Sequence, residues 1–191
     1  MSENLNEYLV EKREALQQRH QRTQASSDTN PLVIRANVKA EGRSGVRRIR
    51  IRDFQILSDS GPDFAGYNLG PSSPELQLGV LGSCLTHIFL IQAAERNVPL
   101  DSLDVEVTAE QQPRAGQPGY ENVPIYPHNI SYIIHISSPA SDSEIAELHQ
   151  AVEHNCLILN LLLNPQQING KVEHTTTEET LDTKDTEIVP S

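Results

Sequence analysis

Residues 73–97, SPELQLGVLGSCLTHIFLIQAAERN, constrain what this chain can fold into more than any other stretch. Ser73 reads as an N-cap, Pro74 as the first helical residue and Glu75 as a first-turn acid, the usual chemistry of a helix start. The stop falls at Asn97, with Pro99 beyond it. Between these limits nearly every residue is apolar or small, so the spacing predicts a helix buried on most of its faces. The run is almost long enough to cross a bilayer, but Gln77, His87 and Gln92 interrupt it and no second such run exists. A central core helix is therefore expected, and no membrane partner.

The rest of the chain supplies layers to cover that helix. With 191 residues and 37% hydrophobic content there is material for one domain. Residues 1–30 are polar, with Leu5, Leu9 and Leu16 spaced for a weak amphipathic helix: a solvated arm, or a helix packed on the body. Residues 174–191 are acidic and apolar-poor and read as a disordered tail, leaving 31–173 as the domain. LVIRANVKAE and VRRIRIRDFQIL are β-rich runs joined by EGRSG, a hairpin connection; Arg48, Arg50 and Arg52 share one strand face, Ile49 and Ile51 the other. A turn-rich loop leads to the long helix. After it, SLDVEVTAE alternates as a strand, a four-proline segment makes an irregular loop, and NISYIIHIS is the next strand. SDSEIAELHQAVEHN opens with a capping box from Ser141 to Glu144; CLILNLLLNP is a short helix and INGKVEH a final strand. This order, without parallel βαβ rhythm, predicts an α+β sandwich.

Charge narrows the partners. Fifteen basic against 26 acidic residues give a net charge of −11, which disfavours nucleic acid and anionic membranes. Seven of the fifteen basic residues fall within 35–52, a patch that admits a nucleic-acid reading; an exposed sheet face suits the acidic total better. The N-terminus carries no apolar signal segment, and a cytoplasmic protein is expected.

Two cysteines are the chemical candidates. Cys84 lies within the long helix and Cys156 just after the next, each among apolar neighbours, the common setting of an inert core thiol. To become a nucleophile such a thiol, with an ordinary pKa of about 8.5, needs a cation nearby. Cys84 is too far along its helix to use the N-terminal dipole. Arg43, in the tight G-R-S-G turn, is the basic residue whose neighbours allow close backbone approach. Zinc is a competing reading, because Cys84 with His87 and His154 with Cys156 form two closely spaced ligand pairs. The H-x-C spacing is uncommon for zinc, and no metal is expected.

GRSG, the block GPSSPELQLGVLGSCLTHIFLIQAAERNVPLDSLDVEV, and a second cysteine at the end of a later helix resemble the OsmC/Ohr family, over about residues 32–173. The resemblance implies an intertwined homodimer with an OsmC-like fold, an antiparallel sheet on a long buried helix. It also implies a thiol peroxidase that reduces organic hydroperoxides and takes its reducing equivalents from small or lipoyl-type dithiols, with no bound cofactor. By the same resemblance Cys84 matches the peroxidatic cysteine, Cys156 the resolving one, Arg43 the activating arginine and Glu75 the carboxylate that holds it. Leu81, Leu85, Ile88 and the LILNLLL segment are expected to line the substrate site. A non-catalytic OsmC-like dimer that binds an apolar ligand is the alternative. Glu75 and Cys84 are nine residues apart, which at about 100° and about 1.5 Å per residue puts them on opposite helix faces about 13 Å apart. A site shared between two antiparallel subunits follows as the expectation.

Overall fold

The computed structural model describes residues 5–176; the tail expected over 174–191 lies almost wholly outside them. The elements in chain order are α1 (Leu5–Ala25), β1 (Asn37–Ala40), β2 (Arg47–Ile51), β3 (Phe54–Ser58), α2 (Ser73–Arg96), β4 (Ser102–Glu110), β5 (His128–Ser137), α3 (Asp142–Asn155) and α4 (Leu157–Leu163). Helix and antiparallel sheet are mixed as the sequence predicts. β1, β2 and β3 form one antiparallel sheet, β4 and β5 another.

α2 begins one residue earlier than expected. Ser72, not Ser73, is the N-cap: its hydroxyl accepts from the Glu75 amide while the Glu75 carboxylate takes the Ser72 amide, a complete capping box. The helix ends at Asn97, whose left-handed backbone (φ 57°) lets its amide close back on the Ala93 carbonyl. The inner face of α2, Leu81, Leu85, Phe89, Ala93 and Ala94, is at most 1% exposed. β4, α1, α3 and α4 cover it. From β4 and β5 come alternate residues, Leu103, Val105 and Val107 with Tyr132, Ile134 and Ile136, as a half-buried sheet requires.

The outer face of α2 is different. Of its most apolar 18-residue window only 33% is buried, and Val80 is 46% exposed. By length and composition α2 could cross a membrane, yet its inner half is the centre of a protein core. The expectation of burial on most faces holds for one face only.

α1 packs on α2, and the core reaches back into it through Leu9, which is 3% exposed, with Leu5 and Leu16 beside the cluster. Arg13 Nε donates to the Ala94 carbonyl at 2.6 Å, and Asn6 Oδ1 accepts from the Leu100 amide at 2.8 Å. A packed helix, rather than a solvated arm, is therefore what residues 5–25 form.

The N-terminal sheet departs from the expected pattern in one place. VRRIRIRDFQIL contains two strands, since Arg52 takes φ 53° and reverses the chain so that Ile51 pairs with Phe54. An arginine there carries no turn signal, which is why the run reads as one strand. Arg52 accordingly leaves the Arg48/Arg50 face and lies over the Phe54 ring. INGKVEH is not a strand: residues 164–176 have no regular structure, and Ile168 and Val172 are 91% and 90% exposed. A strand needs a ladder partner, and no described strand of this chain pairs with that segment.

Candidate thiol site

The site is built from the loop that feeds α2. Asp59, fully buried, accepts from the amides of Tyr67 (3.0 Å) and Leu69 (3.1 Å) through one carboxylate oxygen. These folds of the chain bring backbone against backbone: a Cβ on Gly66 would sit 2.0 Å from the Ser60 carbonyl oxygen, and one on Gly70 2.4 Å from that of Leu57. Arg47 ties the sheet to the same loop, donating to the Ser58 hydroxyl (3.0 Å) and the Asp59 carbonyl (2.8 Å). The amides of Leu69 and Ser60, then that of Tyr67 and the Arg47 guanidinium, hold the Asp59 carboxyl below its ordinary pKa. Asp59 therefore fixes where α2, and with it Glu75, begins. Composition marks this stretch only as a loop; an acid ahead of two closely spaced glycines was the signal available.

Glu75 spends its carboxylate on the cap. Oε2 accepts from the Ser72 amide and hydroxyl, both at 2.7 Å, and the hydroxyl first, then the amide, hold its pKa low. Beyond it a groove of about 540 Å³ runs along the outer face of α2, lined by Pro71, Glu75, Leu76, Gly79, Val80, Ser83, Cys84, His87 and Ile158. Glu75 and Cys84 both line it, so one open groove takes in both residues despite the half-turn offset read from the sequence. Leu81, Leu85 and Ile88 do not line this groove; they are 1%, 0% and 7% exposed and face the core. Leu76, Val80 and Ile158 supply the apolar wall instead. The helical phase explains the difference, since Leu81, Leu85 and Ile88 share the stripe that meets β4 and α3.

Cys156 occupies the junction where α3 ends and α4 begins, and is completely buried. Cys84 packs against the buried cluster that contains Cys156, close enough for its sulfur to act on the Cys156 thiol. Burial pushes the Cys156 thiol above its ordinary pKa, and the neighbouring Cys84 sulfur adds to this, while the Leu159 and Ile158 amides of the α4 first turn oppose it. Cys84 is half-buried, and both cysteines are free. One thiol therefore faces the groove while its neighbour is sealed behind it.

Arg43 is not part of this cluster. It sits at the apex of the β1–β2 turn, exposed, after Gly42 at φ 53°, and does not line the groove. Among the described residues no group of three or more His, Cys, Asp or Glu converges as a metal site. His154 is exposed on α3, whereas Cys156 faces the core, so the H-x-C pair points two ways. A polar cluster that sequence reasoning missed lies near Cys156: Tyr132 donates to Glu153 at 2.7 Å and meets His149 Nε2 at 3.1 Å, while His149 stacks on Phe89. Three residues on two elements, with no shared motif, gave no local signal for it.

A cysteine midway along a long core helix, a second at the α3–α4 junction behind it, and an α+β fold with antiparallel sheets define the class. The chain matches the OsmC-like protein family over residues 66–171 and belongs to that family. Among solved structures, its fold is similar to that of an OsmC-like protein from Mycoplasma pneumoniae, at TM-score 0.61 and 19% identity over 70% of this chain and 89% of that one. An OsmC-like protein from Vibrio cholerae gives TM-score 0.53 and 14% identity, covering 68% and 93%. An organic hydroperoxide resistance protein OsmC from Legionella pneumophila gives TM-score 0.50 and 12% identity, covering 69% and 91%. No curated protein matches the chain.

Proposed function

We propose that this protein is a homodimeric, cytoplasmic, thiol-dependent peroxidase that reduces organic hydroperoxides to alcohols. The observation that carries the reading is that a groove-facing Cys84 packs against the core cluster that holds the buried Cys156. The Legionella pneumophila structure of the same fold is named an organic hydroperoxide resistance protein, which supports the substrate class.

The Cys84 thiolate attacks the terminal oxygen of ROOH. The S–O bond forms, the O–O bond breaks, and ROH leaves once its oxygen is protonated. Sulfur is oxidised to a sulfenic acid and the peroxide is reduced by two electrons. Cys156 then attacks the Cys84 sulfur, a disulfide forms, and the hydroxyl departs as water with the Cys156 proton. An external dithiol, small or lipoyl-type, reduces the disulfide by exchange. Leu76, Val80 and Ile158 favour a bulky alkyl group over hydrogen peroxide.

A second copy of the chain completes the site. The groove and the N-terminal sheet both leave apolar residues uncovered, and Arg43 belongs to the second. Arg43 of the partner subunit, held by a Glu75 carboxylate, would supply the cation that Cys84 needs.

The test is steady-state consumption of cumene hydroperoxide with dithiothreitol. Cys84→Ser is expected to abolish turnover, whereas Cys156→Ser, with the dithiol withheld, should still reduce about one peroxide per chain and stop at the sulfenic acid. Undiminished turnover by Cys84→Ser would end this reading. Tight binding of an apolar ligand without any turnover by the wild type would favour a non-catalytic binding protein.

A further inference from the structure

We infer that His87 is a catalytic residue, the proton shuttle that takes the Cys84 thiol proton and delivers it to the departing alkoxide; this rests on the peroxidase reading. His87 lies one turn after Cys84 on α2, and both side chains line the same groove. A hydroperoxide that brings its terminal oxygen to Cys84 therefore places its second oxygen on the surface that His87 shares. Glu75, the other titratable group in the groove besides Cys84, lies nearer the start of α2 with its carboxylate engaged by Ser72.

The chemistry requires such a group. Loss of the thiol proton creates the nucleophile, and rupture of the O–O bond creates an alkoxide, a far stronger base than the thiolate that was consumed. One neutral imidazole serves both needs: a ring nitrogen accepts the proton from Sγ, the imidazolium protonates RO⁻, and the neutral ring is restored. The electron pair moves from sulfur to oxygen, and no other reactant is needed.

The surroundings keep the ring neutral. On its second side His87 borders a cavity of about 650 Å³ shared with Leu16, Arg19 and His20 of α1, Glu95 of α2, and Asn155 and Leu157 at the α3–α4 junction. Burial, then the positive charges of Lys12 and Arg19, lower the His87 pKa from its ordinary value. Against them stand Glu95, which faces His20 at 3.7 Å, and the raised, neutral thiol of Cys156. α1 lies before the segment that matches the family, so this control is supplied by the chain's own N-terminal helix.

The experiment compares three reagents on wild type and His87→Gln, following loss of the Cys84 thiol in a single turnover. Cumene hydroperoxide expels an alkoxide that must be protonated; peracetic acid expels a carboxylate that need not be; iodoacetamide reads thiolate alone. His87→Gln is expected to slow cumene hydroperoxide about a hundredfold at pH 7 and to slow the other two, which lose only the acceptor of the thiol proton, at least about tenfold less. The wild-type rate with cumene hydroperoxide should fall along an acid limb below about 6.5, the ordinary His value. That limb should vanish in His87→Gln and move upward in Arg19→Gln. Equal slowing with all three reagents, or none with any, would overturn the shuttle. A wild type that leaves cumene hydroperoxide untouched while iodoacetamide reacts would overturn the peroxidase reading itself, and the shuttle with it.

Discussion

Leu85 and Phe54 are both large apolar residues, yet Leu85 is wholly buried and Phe54 is 62% exposed. The contrast extends to their surroundings. Around Leu85, α2 is covered by α1, α3, α4 and β4, and the core closes within one chain. Around Phe54, the β1–β3 sheet leaves Val38 at 56% and Ile56 at 42% exposed. Such a sheet, carrying apolar residues on an open face, is built to be covered. The candidate site residues divide along the same line. Cys156 belongs to the closed region, Cys84, Glu75 and His87 to the groove at its edge, and Arg43 to the open sheet. This division is what the proposed site, shared between two copies, requires.

The comparison is sharpened most by a matched pair of substitutions. Leu85→Ala should cost about 2–5 kcal/mol in a denaturant titration, because a cavity opens in a core that packs on all sides. Phe54→Ser should change the stability of a dilute single chain by about 0.5 kcal/mol or less, yet weaken self-association in sedimentation at least tenfold. Equal effects of the two on folding would erase the distinction between the regions.

A smaller effect is expected at the joint between them. Asp59 is held as a carboxylate by the Leu69, Ser60 and Tyr67 amides and by Arg47. Its folded-state pKa is depressed, so its contribution is present above the unfolded value of about 3.9 and is lost as pH falls through the folded one. Asp59→Asn should lower the melting temperature at neutral pH, and the gap to wild type should close as the pH drops below about 4. A gap that stays constant with pH would show that the charge of Asp59 contributes nothing.

What the sequence disclosed follows from the range over which each feature is encoded. The stop of α2 at Asn97 and the Ser141–Glu144 capping box are local, three or four residues long, and are found where the residues place them. A role for the two cysteines came only from the family resemblance; that Cys84 packs against the cluster containing Cys156 is a product of α3 packing on α2. Orientation was not legible. Leu81, Leu85 and Ile88 look like site lining because they flank Cys84 in sequence, whereas helical phase turns them to the core. The Arg52 reversal is local but uses a residue type that carries no turn signal, whereas the Asp59 hub depends on Tyr67 and Leu69 further along the chain.

The most direct test of the shared site mixes two defective chains. Arg43→Ala keeps its thiols and Cys84→Ser keeps its arginine, so each should be inactive alone in the cumene hydroperoxide assay. Unfolded together in equal amounts and refolded, half of the dimers carry one of each, and one of their two sites holds both Cys84 and the partner's Arg43. The account predicts recovery of about a quarter of wild-type turnover. No recovery after mixing, or full wild-type turnover from a species that sediments as a single 21.2 kDa chain, would contradict it.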